Sequence, residues 1–413
     1  MKPKIAIIGL GYVGLPLLDL ALDKGFETVG VDIDADRLQA ISSRRTGSKL
    51  ELGTTVEESD VFVVCVPTPV NERQEPILDH VSTALGAISR VLKAGDTVVI
   101  ESTIYPGVCE DLAKPILDTT NVQYYLGHCP ERINPGDPNW SVRNIPRVVG
   151  GIDGDSGERI RDIYTQLIDA DIHVLPSARE AEATKIVENT FRDINIAFVN
   201  EMAISLSRLG IDAHAVIQGA GTKPFGFMPH YPGIGVGGHC IAVDPYYMIE
   251  RGKTVGFDHE FLRLARKINS RMPEYTAGLV QDGLNVLGRS LSGARVLVLG
   301  LAYKPDVADD RESPSYELVR LLDEKGAIVD TFDPYLPQKS TIDSLTDETD
   351  YDCVVLATAH QVFVSEQARF SSIALVVDGR NAFDPAVFRH TLLAGVGKPY
   401  PSPGASPLRA AAE

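Results

Sequence analysis

Apolar residues in the first hundred positions fall into short continuous blocks. Lys4 to Ile8, Thr28 to Val31, Val61 to Val66 and Thr97 to Ile100 each read as a strand buried on both faces. Between them, Leu15 to Lys24 and Val81 to Leu92 place apolar side chains at three-and-four spacing, the period of a helix packed on one side. Strand, helix and strand in that order make the βαβ unit of a doubly wound parallel sheet, and the rhythm continues to about Leu175, with a further strand at Gln123 to Leu126.

From Ser177 the pattern changes. More than 30 residues pass without Pro or Gly until Gly210, which predicts one long helix; two helices with an unmarked break are the plainer alternative. A Gly/Pro/His-rich loop, FGFMPHYPGIGVGGHC (225–240), precedes helical segments from about His259 to Leu287. A new strand starts near Arg295, and others follow at Ile328 to Phe332, Cys353 to Ala357 and Leu375 to Asp378. The expected fold class is α/β: two Rossmann-like doubly wound domains joined by a helical middle domain with a long central helix. The expected boundaries are 1–175, 176–289 and 290–395, followed by a disordered Pro/Ser/Ala-rich tail at 396–413.

Composition narrows the function class. The chain has 413 residues, 44% of them hydrophobic, enough for two to four domains with substantial cores. Its net charge of −17 argues against a general nucleic-acid or anionic-membrane binder. No apolar run approaches the ~20 residues of a membrane span, and the first residues lack a signal h-region, so the expectation is a soluble, cytoplasmic protein. Cys65, Cys109, Cys129, Cys240 and Cys353 are scattered, odd in number and free of CxxC pairs. They fit neither a disulfide framework nor a zinc site, and no metal is expected.

Gly9-Leu10-Gly11-Tyr12-Val13-Gly14 is GxGxxG lying directly between a predicted strand and a predicted helix. Gly9 permits the tight turn, Gly11 lets backbone approach a pyrophosphate, and Gly14 allows close helix–strand packing. The motif alone is a weak signal, but the second strand ends at Asp32, where a carboxylate accepts hydrogen bonds from a ribose diol and repels a 2′-phosphate. NAD is therefore the expected cofactor, with NADP the lesser alternative. Arg37 either stacks on adenine or is a solvated helix charge.

Several motifs then occur in one order: GLGYVGLP (9–16), VPTP (66–69), ESTIYPG (101–107), PERINPGD (130–137), Lys185 with Asn189, GVGGHCIAVDPYY (235–247) and GLAYKPDVADDRESP (300–314). In this the chain resembles the UDP-glucose/GDP-mannose dehydrogenase family over about residues 3–385, and its wording is nearest the UDP-N-acetylhexosamine branch. Glucose enzymes typically carry another sequence after the Glu and Ser rather than His before the Cys.

The resemblance implies oxidation of a sugar CH2OH to a carboxylate by two NAD in succession, without aldehyde release, as a step toward cell-surface polysaccharide. Cys240, after the flexible GVGG stretch, is then the thiolate nucleophile that forms a thiohemiacetal and a thioester. Asp244, four residues on, assists the base chemistry, its plain alternative being a helix cap. Lys185 and Asn189, one helical turn apart, stabilise the alkoxide or oxyanion. Glu131 is the base for the hydrolytic water. Thr103 bonds a catalytic water or the nicotinamide, and Thr68 belongs to a cofactor loop. Arg132 and Asn134 are sugar or phosphate contacts, although turn formation explains Asn134 almost as well. Gly237 and the Phe225 to Gly238 loop wrap the nucleotide sugar. His239 is either a local donor or structural. Lys304 meets the diphosphate, and Arg311 reaches the cofactor or active site. The family's middle helices imply a homodimer.

Two departures stand out: only 28 residues separate Asp32 from Val61, suggesting a trimmed outer edge, and Ala242 stands where hexosamine relatives commonly have Pro. UDP-N-acetylmannosamine is the favoured substrate, then UDP-N-acetylglucosamine, then UDP-glucose. A single-step NAD oxidoreductase or hydroxyacid dehydrogenase and a non-catalytic nucleotide-sugar sensor are the readings from other classes. Because the implied ligands are anionic and the chain is acidic, the helix N-terminus at Gly11 to Gly14 with Lys185, Lys304 and Arg311 must make a local positive pocket.

Overall fold

The structure, a computed structural model, describes residues 2–45, 49–133, 139–238, 240–345 and 350–399. It divides into two compact units, Met1–Asn189 with Tyr246–Asp258, and Thr190–Pro245 with His259–Glu413.

The first unit is built on a sheet whose eight described strands are β1 (Ile5–Ile8), β2 (Thr28–Val31), β3 (Leu50–Gly53), β4 (Val61–Val64), β5 (Thr97–Ile100), β6 (Tyr125–His128), β7 (Arg147–Gly151) and β8 (Ile172–Val174). Their spatial order is β3-β2-β1-β4-β5-β6-β7-β8. Helices α1 (Gly14–Asp23), α2 (Ala35–Arg44), α3 (Asp79–Ser89), α4 (Lys114–Leu117) and α5 (Gly154–Leu167) connect them. The apolar blocks are explained by burial on both faces: Ile5 and Ile7 of β1 belong to one core, Ala6 and Ile8 to another. All pairs are parallel except β6 with β7, which run antiparallel through Gly127↔Gly151 and His128↔Gly150. No described helix lies between those two strands, and a strand that returns without a crossover helix must reverse direction.

The second unit carries a parallel sheet of β9 (Arg295–Leu299), β10 (Ile328–Phe332), β11 (Cys353–Leu356), β12 (Leu375–Asp378) and β13 (Leu392–Gly395), ordered β10-β9-β11-β12-β13. Again alternate strand residues feed separate cores, Val296 and Val298 in one, Leu297 and Leu299 in the other.

The helical middle starts with α6 (Ala178–Arg208), a single helix of 31 residues whose residues 178–189 lie in the first unit and 190–208 in the second. It is followed by α7 (Ala213–Gly221), α8 (Asp244–Thr254), α9 (Glu260–Ser270) and α10 (Met272–Val286); α11 (Pro314–Glu324) and α12 (Gln361–Ser365) complete the second α/β unit. No described helix is long and apolar enough to cross a membrane. The 28 residues after Asp32 still supply α2 and the edge strand β3. Of the predicted tail, residues 396–399 are described, and Lys398 bonds Asp212 at 2.7 Å; residues 400–413 lie outside the described set.

The end of α6 has a specific cause. Gly210 adopts φ +73°, so the N–H of Ile211 reaches the Leu206 carbonyl at 2.9 Å and that of Gly210 the Ser207 carbonyl at 3.1 Å. A Gly210→Ala variant should lose about 1 kcal/mol through left-handed strain. Thermal unfolding should register this as a fall of a few degrees with helix content unchanged; an unaltered midpoint would show that this cap contributes nothing.

Candidate active site

In the first unit the glycine loop is shaped by close backbone approach. Gly9 has φ +93°, and a Cβ there would lie 2.6 Å from the Cys65 carbonyl oxygen; one on Gly14 would lie 1.9 Å from the carbonyl oxygen of Gly9. A Cβ on Gly11 would meet nothing within 4 Å, so this backbone faces open space. Val13 precedes α1 without a side-chain cap, leaving the helix's first N–H groups and positive dipole end to a ligand. Asp32 stands at the end of β2: Oδ2 accepts from the Leu10 N–H at 2.8 Å and Oδ1 from that of Asp34 at 3.0 Å. The Arg37 guanidinium lies 3.5 Å from Asp32, and Tyr12 is exposed on the loop. This donor set fits a dinucleotide, with N–H groups for the pyrophosphate and a carboxylate for the ribose. Thr68 is buried and its carbonyl accepts from the Tyr247 hydroxyl, while Thr103 is half-buried beyond β5.

The same unit gathers charged groups beyond β6. Lys185 and Asn189, one turn apart on α6, are both buried, and the Lys185 ammonium donates to the Glu131 carbonyl. Glu131 is buried too: Oε1 accepts from the N–H groups of Arg132 and Ile133 at 2.6 Å each, and Oε2 from Nη2 of Arg147 at 2.6 Å. Arg132 donates to Glu188 on α6 and to the Pro146 carbonyl. Arg147 is fully buried between Glu131 and Glu101, and Tyr164 donates to the latter. Burial opposes the charge on Arg147, but the two carboxylates hold it protonated. Burial pushes Glu101 up to about 7, with Arg147 opposing and Glu131 adding to the rise. His128 is pushed down to about 3 by burial and is neutral. Sequence reasoning missed Arg147, Glu101 and Tyr164. A signal did exist for two of them, since a charged residue inside or directly after an apolar strand block, as in PRVVGG and VVIEST, must be paired when buried.

In the second unit the GVGG stretch is packed rather than flexible, contrary to expectation. A Cβ on Gly237 would lie 2.8 Å from the Glu312 carbonyl oxygen, one on Gly238 2.8 Å from the Tyr303 ring, and the Gly238 N–H bonds the Arg311 carbonyl at 3.0 Å. These glycines let the segment lie against the 303–314 loop. Behind it a buried chain of hydrogen bonds runs from the Gly233 N–H to Asn200, Asn269 and Asp193, and Arg266 closes on Asp193 at 2.6 Å. Cys240 follows, its carbonyl accepting from the Asp244 N–H at 2.8 Å, so the segment does turn helically into α8, and Asp244 is buried there. Cys240 is the exposed member of the five thiols; the other four are buried, and burial pushes each of them well up.

Lys304 is half-buried in the loop after β9, which is pinned as the first unit's loop is. Asp333, at the end of β10, accepts from the N–H groups of Leu301 at 2.7 Å and Ala302 at 2.8 Å. It also bonds Nε2 of buried His360 at 3.0 Å, and the Asp306 N–H donates to His360 Nδ1, which fixes the proton on Nε2. Burial pushes the Asp333 carboxyl up, but these bonds outweigh it and hold the group below its ordinary value. Arg311 is clamped by Asp309 through a two-pronged pair at 2.9 and 2.6 Å. Asn134 and His239 lie outside the described residues.

A pH dependence follows from Glu101. The folded state keeps its proton to about pH 7 while the unfolded chain releases it near 4.5, so the stability gained from that proton is lost as pH rises through this interval, on the order of 3 kcal/mol in all. Glu101→Gln removes the titration, and its melting temperature relative to the parent should climb between pH 5 and 8; a constant difference would contradict the assignment.

Three profiles of the UDP-glucose/GDP-mannose dehydrogenase family match the chain: the NAD binding domain over residues 3–168, the central domain over 179–271 and the UDP binding domain over 297–385. A UDP-N-acetyl-D-glucosamine 6-dehydrogenase of Pseudomonas aeruginosa is 38% identical over 387 residues, covering 87% of this chain and 91% of the relative. A UDP-N-acetyl-D-mannosamine dehydrogenase of Methanococcus maripaludis is 36% identical, covering 87% of each. The solved UDP-D-ManNAc dehydrogenase of Pyrococcus horikoshii superposes with a TM-score of 0.88 at 32% identity, covering 96% of this chain and 99% of that one.

Proposed function

The chain belongs to the UDP-glucose/GDP-mannose dehydrogenase family and carries its NAD-binding domain, and from that premise we propose that it oxidises C6 of a UDP-N-acetylhexosamine to the carboxylate, taking UDP-N-acetylmannosamine first and UDP-N-acetylglucosamine next. The observation that carries this reading is Cys240, the exposed thiol among five, on the turn that leads into α8.

NAD supplies the hydride acceptor, used twice. Gly9, Gly11 and the N-terminus of α1, with Tyr12, Val13 and Gly14, bind its pyrophosphate, and Asp32 binds a ribose diol beside Arg37. In the second unit Lys304 and Arg311 meet anionic ligand groups, and Gly237 lies along the sugar nucleotide. Arg132 contacts the sugar or its phosphates. Lys185 and Asn189 hold the developing C6 alkoxide, a role suited to a buried ammonium whose position is already fixed by the Glu131 carbonyl. The thiolate of Cys240 attacks the C6 aldehyde, and covalent attachment retains the intermediate between the two oxidations. Asp244, one turn on, positions water and assists proton transfer. Glu131 takes the proton of the hydrolytic water, with Thr103 as a hydrogen-bond partner of that water or of the nicotinamide.

A homodimer accompanies this reading. Val187, Phe191, Phe198 and Met202 are exposed on α6 and, at about 100° per residue, fall within one sector of roughly 60°, and exposed Leu209 follows directly after the helix. A second copy's helix is the natural cover for so long an apolar stripe. Light scattering should give twice the 44.7 kDa chain mass, and Phe198→Glu should shift it to the single-chain value; a monomeric parent protein would overturn the dimer.

NADH formation followed in parallel with UDP-N-acetylmannosamine, UDP-N-acetylglucosamine and UDP-glucose tests the substrate. The highest kcat/KM is expected for the mannosamine, and turnover of UDP-glucose alone would refute the hexosamine reading. Cys240→Ala should lower uronate formation by at least about 1,000-fold, as loss of a covalent nucleophile does. A fully active variant would rule out covalent catalysis.

A further inference from the structure

The tightest electrostatic arrangement of the first unit lies one layer behind Glu131. A carboxylate offers about four lone-pair directions. Both of those on Oε1 are used by the Arg132 and Ile133 N–H groups, and one on Oε2 by Arg147. Among the described hydrogen bonds, this leaves a single direction, on Oε2, to receive a proton. Arg147 also donates to the Pro130 carbonyl at 3.2 Å, so one guanidinium fixes both the backbone before Glu131 and its side chain. Its Nη1 lies 3.7 Å from Oε2 of Glu101, whose other oxygen is bonded by Tyr164. Arg147, Glu101 and Tyr164 are all buried, and the contacts they make are with one another, Glu131 and backbone.

We propose that Arg147 is a positioning residue for thioester hydrolysis, holding the Glu131 carboxylate with its remaining Oε2 lone pair aimed at the attacking water, and that Glu101 holds the guanidinium from its other side. The inference rests on the double oxidation proposed above. In the step concerned, the water oxygen bonds to the C6 acyl carbon and one water proton passes to Oε2 of Glu131. The C–S bond breaks with its electron pair to the Cys240 sulfur, and the new carboxylic acid releases its proton to solvent. Neither oxidation uses this lone pair, so Arg147 matters to hydrolysis and not to hydride transfer. Lysine in its place keeps the charge but loses the fork that engages Pro130 and Glu131 together.

The test uses the full-length enzyme with NAD and UDP-N-acetylmannosamine, or whichever of the three sugars the parent turns over. Arg147→Lys should give a first-turnover burst of two NADH per active site at a rate within about threefold of the parent. Steady-state kcat should then fall at least about 30-fold, the scale of a mis-set general base, with KM little changed. Acid-quenched protein should carry the acyl adduct on the peptide containing Cys240, as should Glu131→Gln. A purely structural role for Arg147 would lower burst and steady state together, and that result, or an unchanged kcat, overturns the proposal. If Arg147→Lys does not fold, Glu101→Gln carries the test: it should slow hydrolysis about three- to tenfold with the same adduct, and unchanged hydrolysis overturns the proposal. An adduct in Glu131→Gln but in neither of the other variants refutes the positioning role alone. No adduct in any variant refutes the covalent double oxidation, and the proposal with it.

Discussion

Charged side chains buried in an α/β unit persist only where each is met by an opposite charge or by several hydrogen bonds, because an isolated buried ion loses several kcal/mol of hydration. In the first unit this constraint organises everything beyond β6. Lys185 is held by the Glu131 carbonyl, Glu131 by two backbone N–H groups and Arg147, and Arg147 by Glu131 with Glu101 behind it. Removing Glu131 or Arg147 leaves the other, a buried charge, without its nearest ionic partner. The segment 130–133 is thereby fixed in place although it has no regular secondary structure.

The two units solve the same backbone problem in related ways. Each places a glycine of positive φ directly after its first strand, Gly9 at +93° and Gly300 at +95°. Each then ties the following loop to an aspartate at the end of the neighbouring strand, Leu10 to Asp32 and Leu301 with Ala302 to Asp333. They differ in what else the aspartate meets. Asp32 has a partly exposed arginine beside it, whereas Asp333 is closed off by buried His360. The first arrangement leaves the aspartate beside a partly exposed guanidinium, and the second ties the start of the loop bearing Lys304 to a buried aspartate–histidine pair.

Much of this was legible in the sequence, and the reasons are physical. Strands buried on both faces write continuous apolar blocks, so β2 and β5 fall where the blocks are. A stretch of more than 30 residues free of Gly and Pro gave α6, and Gly210 marked its end. The edge strands β3 and β8 carry no such block, because their side chains are half-buried or exposed, and β7 and β13 are diluted by glycine. Position in a motif led to Glu131, Lys185 and Cys240. Tyr164 and His360 went unseen because their partners lie 63 and 27 residues away in the chain and nothing local marks them, while the local mark of Arg147, its place in an apolar block, says nothing of a partner 16 residues back. The glycines of GVGG were misread as flexible: close packing on Tyr303 demands the absent Cβ as strongly as mobility would.

The central claim is that one active site removes four electrons from C6 without letting the aldehyde go. Its most direct measurement is the ratio of NADH formed to UDP-N-acetylhexosamine consumed, with the sugar product quantified in the same reaction and an aldehyde-trapping amine present. The account predicts a ratio of two, uronate as the product and no trapped aldehyde. A ratio of one, with the C6 aldehyde captured from solution, would contradict it.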